Sequence, residues 1–137
     1  MSKIISFMLK QKTGFDKDNR IKFVGTVYDQ QLLKKIREEA YAYFHGHEVG
    51  GTNPSLLEAL ASTDVNLLVD VSFNREVAED SAMYWSKDDG ELCKLIDKSD
   101  NMLDDYRAFL AQKSTERITD EFSWTKIISD YEKILRV

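Results

Sequence analysis

Asn66-Leu67-Leu68-Val69-Asp70-Val71 decides the fold of this chain. Successive side chains of a strand point to opposite faces, so three aliphatic residues in a row cannot all face one side. A strand of this nearly continuous apolar kind belongs to a sheet covered on both faces, as parallel sheets are. Working outward, Tyr41-Ala42-Tyr43-Phe44-His45 and Ile21-Lys22-Phe23-Val24-Gly25 read as earlier strands, and Ser81-Ala82-Met83-Tyr84-Trp85 as a later one. Between them lie two helical patterns. One is capped by Asp29 and carries Leu32, Leu33 and Ile36 on one face; the other opens at Pro54 and offers Leu56, Leu57, Leu60 and Ala61 for packing. Strands separated by helices of roughly ten residues make a doubly wound parallel sheet the default, with helices on both faces. From Asp88 onward the periodicity is helical, which predicts a helical carboxyl-terminal tail.

The chain has 137 residues, enough for one domain with a single core, and residues 1–137 are read as one unit. Hydrophobic content is 42%, charged content 31%, and there is one proline, which describes a folded chain. The net charge of -5 leaves no broad basic footprint for nucleic acid. Met1 to Leu9 contains a short apolar run without a small-residue cleavage site, and no run reaches the roughly 18 residues that cross a bilayer. Cys93 is the one cysteine, consistent with a reducing cytosol, and it reads as a small core hydrophobe in a helix, as Trp85 and Trp124 read as core. The charged runs Lys34–Glu39 and Asp97–Asp105 read as solvated faces.

Chemistry concentrates at one place. Gly50-Gly51-Thr52-Asn53 is a small-residue turn running straight into the Pro54 helix, with Glu58 one turn in. Backbone amides of such a turn can approach an anion closely, with the positive end of the helix facing it. A carboxylate beside them can accept two hydrogen bonds from adjacent hydroxyls. Ligands of open α/β sheets bind outside the carboxyl ends of the strands. Gly25-Thr26-Val27-Tyr28, His45 to Asn53 and Ser72-Phe73-Asn74-Arg75-Glu76 all fall there on this reading. Asn74-Arg75-Glu76 reads equally as a helix start with Glu76 near its positive end or as a ligand-side segment. His45 and His47 lie on one side of a strand, but without a third histidine or a second cysteine they point to polar contacts rather than a metal.

Three ordered blocks carry a resemblance: Phe23 to Tyr28, His45 to Leu60, and Phe73 to Ala78, with Phe122-Ser123-Trp124 before the last helix. From about Arg20 to Leu135 the chain resembles the carboxyl-terminal, donor-binding half of retaining GT-B glycosyltransferases, of the bacterial rhamnosyltransferase-like kind that builds capsule and exopolysaccharide. The resemblance implies a Rossmann-like sheet, one half of a GT-B fold, in a cytoplasmic enzyme working at most peripherally at the inner membrane face. Glu58 matches the glutamate that holds the donor ribose, and Gly50, Gly51, Thr52 and Asn53 the turn that contacts the diphosphate or the transferred sugar. Thr26 and Val27 match the loop beside the base, and His47 and Glu48 lie where such enzymes approach the donor sugar, as the candidate catalytic pair. The implied substrate is a nucleotide sugar, deoxythymidine diphosphate rhamnose being the resemblance's suggestion, with no cofactor and no metal.

The chain departs from that family in three ways. Gly50 stands eight before Glu58, where the wider family has its first glutamate. Ser62-Thr63-Asp64-Val65 replaces the usual glycine-lysine-proline turn. A two-domain enzyme needs roughly two to three times this length, and the arginine–lysine pair that neutralises the diphosphate has no counterpart before Gly25; Lys3, Lys10, Lys12, Lys17 and Lys22 do not match its spacing. The expectation is therefore a donor-binding half, inactive alone, whose partner is an acceptor-binding domain or subunit, with a homodimer as a further arrangement. The alternative is a non-catalytic interaction module that keeps the fold.

Overall fold

The central strand is β2 (Asn66–Val69), buried at all four positions. In the computed structural model, which describes residues 14–136, β2 pairs in parallel with β1 (Tyr43–His45) on one side and β3 (Met83–Trp85) on the other. The register sets Phe44 against Leu67, and Leu68 against Tyr84. The order β1-β2-β3 follows the chain. Parallel neighbours need crossovers, and these are α2 (Pro54–Leu60) between β1 and β2 and α3 (Ser72–Ala78) between β2 and β3. A turn of 3-10 helix, Glu79–Ser81, completes the second crossover. The fold is thus mixed α/β around a three-stranded parallel sheet.

Leu67 and Leu68 lie in different apolar clusters, as the alternation of a strand requires. Leu68 packs with Leu56 and Leu60 of α2 and with Val77 and Ala78 of α3. Leu67 packs with Val65, Met83, Leu95 and Leu110. Leu95 comes from α4 (Glu91–Asp100) and Leu110 from α5 (Asp104–Glu121). The end of α5 returns to the first cluster through Ile118 and Phe122. Each of these leucines is buried, a stabilisation of roughly 1.5–3 kcal/mol apiece. The chain ends in α6 (Trp124–Leu135), whose first turn is capped by Ser123 accepting from the Lys126 amide at 3.3 Å. The helical tail expected after Asp88 is therefore present as α4, α5 and α6.

The chain divides into two compact units, split between Lys35 and Ile36. In the first, Asp29 caps α1 (Gln30–Glu38) as expected, its Oδ1 accepting from the amides of Gln31 at 2.9 Å and Leu32 at 3.1 Å. The strand expected over Ile21–Gly25 does not form. Ile21 and Val24 are exposed, and Gly25 turns the chain at φ 73°. An apolar run holds a strand only where ladder partners and a covered face reward it. The apolar start Met1–Leu9 and the cations Lys3, Lys10 and Lys12 lie outside the described residues.

Other expectations are corrected as well. Cys93 is exposed, because α4 turns Leu95 and Ser99 inward and position 93 falls off that stripe. Trp124 is 78% exposed, at the start of a helix with no buried residue; Trp85 is half-buried against the second cluster. Arg37 does not belong to a solvated face, since its side chain is only 12% exposed. Among the described residues no helix is long and apolar enough to cross a membrane.

Candidate functional site

The loop that leaves β1 runs from Gly46 to Asn53 and is held at both ends. At its start His45 is 5% exposed, its ring stacked on Tyr43 with centroids 6.0 Å apart. The Tyr43 hydroxyl lies 3.4 Å from His45 Nδ1, while Nε2 has no partner among the described residues. Burial, and secondarily the charge of His47, pulls the His45 pKa below the usual imidazole range. At its far end Asn53 accepts the Ser55 amide at 2.9 Å on Oδ1 and caps α2, with Pro54 at the first helical position. The helix opens at Pro54 as expected from the sequence, where the missing proline N–H costs nothing; the Asn53 cap, a finding of the structure, satisfies an orphan donor.

Buried Asn74 staples the middle of the loop. Its Nδ2 donates to the Val69 carbonyl at 3.0 Å and to the His47 carbonyl at 3.1 Å, tying α3 and the end of β2 to the loop after β1. Asn74 thus sits within α3 as a structural clamp, and Asp70 holds Arg75 in a two-point ion pair beside it. The Asp70 carboxyl is lowered below the usual carboxylate range, chiefly by those hydrogen bonds. Gly50 has φ 117°, a conformation that side-chain-bearing residues rarely adopt, and His47 Nε2 is the nearest atom to where a Cβ would stand.

Of the expected site residues, Gly51 and Thr52 open on a cleft of about 350 Å³. Its other walls are Phe73, Glu76 and Val77 from α3, and Arg117, Glu121 and Phe122 from the end of α5. Arg117 is fixed there: it donates to the carbonyls of Val77 at 2.9 Å and Glu76 at 2.6 Å, and pairs with Glu79 at 3.1 Å. His47 is exposed beside Gly50, its ring 5.9 Å from that of His45. Glu48 pairs with Lys87 at 2.9 Å across the loops that follow β1 and β3, an exposed contact of small energetic weight. Thr26, exposed, and Val27, half-buried, belong to the unit Met1–Lys35.

Glu58 does not line the cleft. It stands one turn into α2, half-exposed, and Arg37 grips it at 2.8 Å. Arg37 itself is anchored through its carbonyl, which accepts the Thr63 hydroxyl at 2.9 Å. Tyr43 lies close enough to feel both charges; its pKa is raised by burial, lowered by Arg37 and raised by Glu58. A carboxylate has about four lone-pair sites, so the ion pair leaves Glu58 able to accept from hydroxyls.

Two residues of this neighbourhood escaped the sequence reading. Arg37 sits four residues after Leu33 on the same helical face, and Arg117 seven after Leu110 on the buried stripe of α5. In both cases an arginine at helical spacing from an aliphatic residue was the available signal. Among the described residues no group of three or more His, Cys, Asp and Glu could hold a metal ion. No protein-family model, no curated protein and no solved structure matches the chain.

Proposed function

We propose that this chain is the donor-binding half of a retaining GT-B glycosyltransferase, with a doubly wound, Rossmann-like sheet, that binds a nucleotide sugar in bacterial capsule or exopolysaccharide assembly. The transferred group is a hexose or deoxyhexose such as rhamnose. The observation that carries the reading is the Gly50–Asn53 turn: Gly50 has positive φ, Asn53 caps α2, and the turn opens on a cleft beside the carboxyl ends of the strands. The three sequence blocks in family order support it. Glu58, one turn along α2, is the acceptor for the ribose hydroxyls, and Arg37 holds it in place. The resemblance assigns Thr26 and Val27 to the base, and His47 and Glu48 to the reacting sugar. An acceptor-binding domain or subunit completes the cytoplasmic enzyme, and without it this unit transfers no sugar.

A titration with uridine and deoxythymidine diphosphates tests the proposal. Native chain binds, and Glu58→Ala loses roughly 1–3 kcal/mol, the weight of a hydrogen-bond partner carrying charge. Binding that is absent, or indifferent to Glu58→Ala, removes the donor-site reading. The second reading, a non-catalytic module, is favoured by α6, where Trp124, Ile128, Tyr131, Ile134 and Leu135 are all exposed at helical spacing. It predicts no nucleotide binding and a partner seated on that face.

A further inference from the structure

The cleft beside the glycine turn has a composition that the diphosphate does not explain. Glu76 and Glu121 bring two carboxylates to its wall against one cation, Arg117. That cation is already committed, since it donates to two carbonyls and pairs with Glu79. The adjoining groove of about 170 Å³ adds Asp80, Glu116 and Asp120 around Arg117, with Lys113 as its one further cation. Two negative groups and a spent guanidinium repel a phosphate. A neutral polyhydroxy ring meets the opposite situation. Carboxylates accept from pairs of neighbouring hydroxyls, while the C–H face of such a ring is apolar and Phe73, Val77 and Phe122 give the cleft apolar walls.

We infer that this cleft is the recognition site for the sugar ring itself, a neutral hexose or 6-deoxyhexose, with the Glu76 carboxylate as the principal acceptor for its hydroxyls. Among the described residues no hydrogen bond or ion pair engages the Glu76 side chain, whereas Glu121 stands 3.9 Å from Lys126. The inference rests on the donor-binding reading, which sets the diphosphate on the amides of the same turn. Gly51 and Thr52 wall the cleft, so a sugar linked to a phosphate on that turn is next to it. The acidic lining then separates the two halves of the donor: phosphates on the amides, the uncharged ring among the acids.

Glu76→Gln decides the matter through the sign of its effect. Glu76 is exposed, so the exchange leaves the fold intact. The native chain and the variant are titrated with uridine and deoxythymidine diphosphates and with their glucose and rhamnose conjugates. A hydroxyl-binding cleft gives the native chain a tighter grip on one sugar conjugate than on the matching bare diphosphate. Glu76→Gln then weakens that conjugate about tenfold, as expected for loss of a charged acceptor, and leaves the diphosphate within about twofold. Were the cleft an anion site, removing a carboxylate would strengthen both ligands; that result overturns the inference and leaves the donor reading standing. Equal affinity for conjugate and diphosphate overturns it in the same way. If neither ligand binds the native chain, the donor reading falls and the inference with it.

Discussion

Replacing the two partners of the Arg37–Glu58 pair one at a time should produce unequal losses of stability, and the inequality has a definite direction. At 2.8 Å and an effective dielectric of about 20, the gross attraction is roughly 6 kcal/mol. Most of that is cancelled by desolvation of the guanidinium, whose side chain is 12% exposed, whereas Glu58 is 49% exposed and remains largely hydrated. Glu58→Gln leaves a nearly buried cation without its counter-ion, at a cost of about 1–2 kcal/mol. Arg37→Met leaves a carboxylate that water can solvate, and fills the same volume with an apolar chain, at a cost under about 0.5 kcal/mol or a slight gain. The double variant completes a cycle whose coupling energy should be about 1 kcal/mol, above the ordinary surface pair and below a fully buried one. Urea unfolding followed by circular dichroism measures all four species, and the slope should stay constant across them. If Arg37→Met costs more than Glu58→Gln, the guanidinium is not the desolvated partner, and the assignment of Arg37 as the group that steadies Glu58 is wrong.

Asn53→Ala removes the acceptor of the Ser55 amide and should cost about 1 kcal/mol, while Asn53→Asp should preserve the cap; paired melting curves distinguish them. His45 is buried with its pKa below the unfolded value of 6.5, so folding favours the neutral ring. Its contribution is complete above pH 6.5 and is lost as the pH falls from there through the folded pKa, and the urea midpoint should drop over that window in the native chain and not in His45→Phe. Tyr84 has its pKa pushed up to about 12, mainly by burial, and donates to the Glu79 carbonyl at 2.7 Å. The stability tied to its neutral form holds below pH 10 and fades as the pH rises toward 12, so alkaline absorbance titration should show a late-titrating component that Tyr84→Phe reduces, Tyr43 being raised by burial as well.

How much of this was legible in the sequence depends on whether the determining interaction was local. The Asp29 cap, Pro54 at the first turn of α2 and the double-faced strand Asn66–Val69 are set by residues within a few positions of one another, and all are present. Ile21–Gly25 carries strand-like residues but no strand, because a strand needs a neighbour that composition cannot name. Trp124 has the makings of a core residue, yet a core position exists only where another element covers it, and no residue of α6 is fully buried. Cys93 failed for a different reason: one residue of phase on a helix separates the inward stripe from solvent.

The arginines carry this argument to the site. An arginine in a charged run reads as surface, because composition weighs its head group and ignores its three-carbon stem. Arg37 and Arg117 each reach a group distant in sequence: Arg37 ends on Glu58, and Arg117 on the carbonyls that close α3. The place of Glu58 one turn into α2 follows from local spacing, but its ion pair comes from Arg37, 21 positions upstream. The cleft shows the same limit more strongly. Gly51 and Thr52 were legible as a turn, whereas Glu76, Arg117 and Phe122 meet them only because α3 and the end of α5 pack against the same face of β2. A cleft assembled across that distance takes its charge from the packing, so the acidic lining that Glu76 and Glu121 give it is visible only once the helices are in place.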